Sequence, residues 1–127
     1  MRGVTNLIQL STLVLILGCT GSYENINGVD WEAWKGDRNG CGSARLAYLT
    51  PLKDQLGKLK KRSEMDIVEL MGRPDETELY KRNQKFYTYF FDGGPECANR
   101  DSTSTRLVIR FNAMGLAKEV AVEEANQ

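Results

Sequence analysis

The chain has no histidine, only 3 prolines and 3 cysteines in 127 residues, and no excess of either charge, with 17 basic side chains against 17 acidic ones. Each shortage excludes something. A cysteine nucleophile has no imidazole nearby to generate its thiolate. A zinc site, which takes four closely spaced ligands drawn mostly from Cys and His, has no ligand set. Balanced charge argues against nucleic acid as a partner, because such binders carry a basic excess on one face. The single basic run, Lys58 to Arg62, reads as a solvated helix end. No apolar run approaches the roughly 20 residues needed to cross a bilayer as a helix. The longest, Leu7 to Leu17, has 11 residues and contains Gln9, Ser11 and Thr12.

What is present begins with that short run. Arg2 precedes it and Ile16-Leu17-Gly18-Cys19 closes it. Its length suits the apolar core of a signal peptide. The closing residues resemble a bacterial lipobox, with aliphatic Ile16 three positions before the cysteine and small Gly18 directly before it, although Leu17 is bulkier than usual. The resemblance implies that residues 1–18 are removed and that Cys19 carries the lipid, giving the chain a membrane as its first partner. Two or three acyl chains, at about 0.8 kcal/mol per buried methylene, make such an anchor stable where one chain does not. No Asp follows Cys19, which points to the outer membrane, with the domain facing the periplasm. Ordinary cleavage near Gly21 or Ser22 and an uncleaved anchor are the alternatives. Cleavage before Cys19 leaves 109 residues, enough for one core. Polar, glycine-containing sequence after Cys19 suggests a flexible tether over 19–40, leaving 41–127 as the ordered domain.

Export places the chain in an oxidising compartment. With Cys19 lipidated, Cys41 and Cys97 remain, and an even remainder predicts one disulfide. Closing a loop of that length is worth about 4 kcal/mol in the chain-entropy model.

Trp31 and Trp34 would share a face of a helical turn, capping the core or forming a contact patch. Leu46, Leu49, Leu52, Leu56 and Leu59 recur at helical spacing. Pro51 breaks or kinks this region, with Thr50 as a candidate N-cap, and helical character is expected to end near Lys60. A short helix over Glu64 to Met71 is expected next. Ser63 is its N-cap, Glu64 and Asp66 lie in its first turn, and Gly72 and Pro74 stop it. Thr77 to Tyr80 and Lys85 to Phe91 read as strands joined near Asn83-Gln84. Thr105 to Phe111 and Leu116 to Glu123 alternate as two more, and Leu116, Lys118, Val120 and Val122 share one side of the last. In the aromatic strand, Phe86/Thr88/Phe90 and Tyr87/Tyr89/Phe91 form two faces, one to cover the helices and one free for a partner. The expected class is α+β: two N-terminal helical segments packed on a three- to four-stranded antiparallel sheet. Asp75-Glu76 and Glu123-Glu124 are expected to be solvated.

The order of lipobox, tether, the helix from Ser63 to Pro74, the aromatic strand Lys85 to Phe90 and the strand–turn–strand Leu107 to Lys118 resembles small lipoproteins of the BamE (small protein A) type. The likeness covers Ser63 to Val122, about half the chain, and extends to proteins with a β-lactamase-inhibitor fold. It implies no enzymatic activity, no cofactor, and a scaffolding role in outer-membrane protein assembly with another envelope protein as partner. Cys41, Cys97 and the Asp92–Ser104 insertion depart from the pattern. The alternative is an inhibitor of a periplasmic or secreted hydrolase, presenting Asp92–Ser104 as its loop. Neither reading provides for a catalytic residue, a metal ligand or a small-molecule substrate.

The anchor is directly testable. A fatty-acid analogue should label the wild-type chain in cells and leave Cys19→Ala unlabelled; equal labelling of the two ends the lipidation reading.

Overall fold

The computed structural model describes residues 23–98 and 104–124. Cys19 and the signal-peptide residues lie outside them. The architecture is α+β, with short helices preceding a four-stranded antiparallel sheet in the order β1-β2-β3-β4. The helical layer comprises α1 (Trp31–Gly36), α2 (Leu49–Lys53) and α3 (Glu64–Met71), linked by single 3-10 turns at Arg38–Gly40, Ala44–Tyr48 and Leu56–Leu59. The strands are β1 (Glu76–Tyr80), β2 (Gln84–Phe90), β3 (Thr105–Phe111) and β4 (Ala117–Glu124).

α3 forms where its signals put it. Ser63 and Asp66 make a reciprocal capping box, and Gly72 ends the helix. The leucine stripe is broken as expected, but Thr50 caps nothing. The chain already turns through Ala44–Tyr48 before α2 begins, so Tyr48 stands at the cap position without a side-chain bond. Pro51 falls in the first turn of α2, where a missing N–H is harmless. Leu52 and Leu59 are fully buried, whereas Leu46 is exposed.

One face of the sheet builds the core. Tyr89 and Phe91 from the β2 segment, Leu107, Ile109 and Phe111 from β3, and Ala117 from β4 meet Trp34, Leu52, Leu59, Ile67 and Met71 from the helical layer. Of the two faces of the aromatic strand, Tyr87/Tyr89/Phe91 is the one the helices cover. Trp34 is wholly buried, edge-on to Phe91 with centroids 5.3 Å apart, while Trp31 packs on its outer side. The tryptophans therefore belong to the core. The register of β4 departs from the simple alternation. A bulge opposite Arg110/Phe111 pairs Ala117 with Phe111, so Ala117 turns inward and Lys118 outward, while Val120 and Val122 keep the inner side.

The tether boundary at residue 40 is corrected. Asp30 caps α1 through the amides of Glu32 and Ala33, Ile26 is buried, and the segment from Tyr23 is fastened by side chains of the helical layer. Arg62 donates to the Glu24 carbonyl, Lys58 to that of Asn25, and Gln55 bonds the backbone of Asn27 on both sides. Polar composition suggested a tether because the segment's own side chains are polar; its backbone groups make the attachments.

Cys41 and Cys97 come together as a disulfide, with Cα atoms 5.3 Å apart. Beside it Gly40 has φ +63°, and a Cβ there would meet the Phe91 carbonyl carbon and the Asp92 nitrogen at 2.5 Å. Below this junction lies a buried ion pair. Arg45 and Asp75 meet at 2.7 Å with side chains 1% and 0% exposed, which corrects the expectation that Asp75 is solvated. Arg45 also donates to the carbonyls of Trp34 and Phe90, and its guanidinium lies 4.6 Å from the Trp34 ring centroid. Asp75 accepts from the amides of Asn39 and Phe90. Glu76, Glu123 and Glu124 are exposed as expected.

Removing one member of a buried pair leaves the other charge uncompensated, at a cost of about 3–5 kcal/mol. Asp75→Asn should therefore lower unfolding stability by that amount in urea titrations. A loss below about 1 kcal/mol would be the behaviour of a surface pair and would contradict the burial.

Candidate binding groove

α3 presents three sides. Ile67 and Met71 enter the core. Tyr23 covers the flank carrying Asp66 and Leu70. The remaining flank faces an open groove of about 520 Å³, lined by Met65, Val68, Glu64, Tyr87, Met114 and Gly115. The groove lies where that flank faces the β3–β4 turn, with Tyr87 of β2 completing the lining. Met65 and Met114, on either side, are 71% and 79% exposed. Gly115 has φ +76°, and a Cβ there would stand 3.0 Å from a Glu64 carboxylate oxygen, so the turn can close over α3 only with glycine at this position.

The groove carries two carboxylates, Glu64 and Glu69, of which Glu64 is engaged. Glu64 receives the Tyr87 hydroxyl and the Lys85 ammonium, each at 3.0 Å. Burial first, and then the bond to the Glu64 carboxylate, push the Tyr87 hydroxyl up to about 12, so it stays a neutral donor. Next to the groove runs β1, every residue exposed, with Leu79 at 74% and Tyr80 at 54%. Among the described residues β1 pairs only with β2, which leaves its outer edge open to another strand. Exposed apolar side chains clustered beside a polar rim mark interaction surfaces, and methionine adapts readily to varied partners.

No family model, curated protein or solved structure matches the chain. Among the described residues no group of three or more Cys, Asp or Glu is placed to hold a metal, and no helix is long and apolar enough to cross a membrane. Cys41 and Cys97 are brought together, but at the loop junction, away from the groove residues. The residues lining the groove were not singled out from sequence as a site. Met65 interrupts no apolar stripe and Met114 reads as a turn residue, so the only available signal was apolar side chains where polar ones are usual.

The capping box holds the helix that forms one wall. Donation from the Ser63 hydroxyl, followed by that from Tyr23, holds the Asp66 carboxyl below its ordinary value near 3.8. A depressed carboxyl pKa contributes stability that is present above the unfolded value and lost as pH falls through the folded one. Ser63→Ala should cost about 1 kcal/mol at neutral pH. In urea titrations the gap from wild type should narrow below about pH 4. A gap that stays constant down to the acid limit would show that the cap acts independently of Asp66 ionisation.

Proposed function

We propose that the chain is an envelope lipoprotein, anchored through Cys19 at the periplasmic face of the outer membrane, whose domain is a non-catalytic binding module. It presents the groove beside α3, together with the free edge of β1, to another envelope protein. The observation that carries this reading is the pairing of a methionine-lined groove with an unpaired strand edge. The outer edge of β1 offers backbone groups to an extended segment and the groove offers Met65 and Met114 to apolar side chains, the two kinds of contact that strand-addition partners use. The resemblance to BamE-type lipoproteins makes the outer-membrane assembly apparatus the first place to look for that partner. The absence of histidine from the sequence and the engagement of Glu64 by Lys85 and Tyr87 support a non-catalytic role.

An inhibitor would call for a protruding loop, and the described part of the Asp92–Ser104 segment does not protrude. Gly93 and Gly94 are buried, the Gly94 amide bonds the Asn39 carbonyl, and Cys97 is tied to Cys41. Nothing among the described residues favours that alternative.

Crosslinking and pull-down of the intact lipoprotein from envelope membranes should recover outer-membrane assembly components. Met65→Glu/Met114→Glu, which alters only exposed side chains, should reduce that recovery about tenfold or more, as expected when charges enter the centre of an interface. Unchanged recovery would remove the groove from the binding surface. Capture of a single hydrolase would favour the inhibitor, and turnover of an envelope substrate without any partner would favour an enzyme.

A further inference from the structure

The face opposite the groove carries a second surface. Tyr23 stacks on Arg62, with the guanidinium 4.7 Å from the ring centroid, and its hydroxyl donates to Asp66 at 2.9 Å. Arg62 reaches the Glu24 carbonyl at 2.7 Å and Lys58 the Asn25 carbonyl at 3.1 Å, so the chain lies flat here instead of leaving the body. Three residues lie between Cys19 and Tyr23, so four backbone steps join them, and four fully extended steps span at most about 14 Å. A lipid on Cys19 therefore brings Tyr23 and its surroundings to the headgroup layer. Those surroundings are basic: Lys58, Lys60 and Lys61 line one shallow concavity with Tyr23, Glu24 and Gly57. The backbone of Lys61 also pairs with that of Ala117, so Lys118 adjoins the same face. The nearby carboxylates are mostly engaged. Asp66 is held by Ser63 and Tyr23, and Glu119 by Arg110 at 2.7 Å, leaving Glu24 and Glu69 as the exposed acids beside the three lysines. Lys58, Lys60, Lys61 and Lys118 form no ion pair among the described residues.

We propose that the face formed by Tyr23, Lys58, Lys60 and Lys61 docks on an anionic phospholipid surface and sets the orientation of the domain. The proposal rests on Cys19 being lipidated. Each lysine near such a surface strengthens the contact about fivefold, which is weak for a free protein but sufficient for one already tethered there. Asp66 and Glu64, or Leu70 and Val68, lie two positions apart on α3, about 200° around the helix. Docking through the Tyr23 flank therefore turns the groove and β1 toward the aqueous side, where a partner can reach them.

The test uses the full lipoprotein reconstituted into vesicles of phosphatidylcholine, alone or with phosphatidylglycerol admixed. Acylation of Cys19 is checked by mass spectrometry and lysines are labelled with a membrane-impermeant amine reagent. Lys58, Lys60 and Lys61 should be protected about fivefold or more in the anionic vesicles, and high salt should abolish the protection, while Lys81 on the β1–β2 turn is labelled equally throughout. In Lys60→Glu/Lys61→Glu, still acylated, the protection of Lys58 should disappear. Equal labelling of the lysines in the two vesicle types on an acylated protein overturns the docking alone. Equal protection in neutral vesicles, which would show a contact indifferent to lipid charge, overturns it as well. A chain without acyl groups overturns the anchor, and the docking with it.

Discussion

A single buried guanidinium holds the two layers in register. Arg45 meets Asp75 with both side chains out of water, and the pair is tolerable because Nε and Nη1 of Arg45 and both carboxylate oxygens of Asp75 have further hydrogen-bond partners. Its partners come from distant stretches: the carbonyl of Trp34, the carbonyl and amide of Phe90, and the amide of Asn39. Asp75 also explains where β1 stops. Beyond Glu76↔Thr88 the register would set Asp75 against Tyr89 and then Pro74 against Phe90, and proline has no N–H to offer the Phe90 carbonyl. Arg45 donates to that carbonyl in its place and the Asp75 carboxylate accepts from the Phe90 amide, so the chain passes from α3 into β1 with both backbone groups satisfied. The disulfide then closes the same junction from the outside, across 56 positions of sequence.

α3 is the element on which the two surfaces meet. Its inner side is spent on the core, and its flanks divide the exterior into a basic face at Tyr23 and an apolar groove at Met65 and Val68. A helix of 8 residues is marginal on its own, so the capping box and its tertiary contacts must hold it in place. Beside it Leu79 and the rest of β1 stay exposed.

Much of this arrangement was legible residue by residue. Ser63, Asp66, Gly72 and Pro74 bracket α3 with local chemistry, and local chemistry survives in any tertiary context that leaves the helix intact. The strands were legible because alternation of apolar and polar side chains is itself a record of one-sided burial. The pairing of Cys41 with Cys97 followed from parity once Cys19 was set aside. Reading failed where the deciding partner was remote. Arg45 sits among alanine and leucines with nothing nearby to signal that it is buried. The segment from Tyr23 to Asn27 looks like linker because Arg62, Lys58 and Gln55, which fasten it, lie some 30 to 40 positions away. Lys118 was placed on the inner side because a bulge changes side-chain parity without leaving a mark in the apolar pattern.

The sequence by itself determined the α+β class, the order of the elements, the capped helix and the expectation of one disulfide, because each depends on propensities and periodicities carried within a few neighbouring residues. Only the tertiary structure decided that Asp75 is an interior charge, that residues 23–40 belong to the domain, and that α3 and the β3–β4 turn leave a groove between them. These features depend on distances between residues far apart in the chain. Such distances are set by how the layers pack, and no local pattern encodes them.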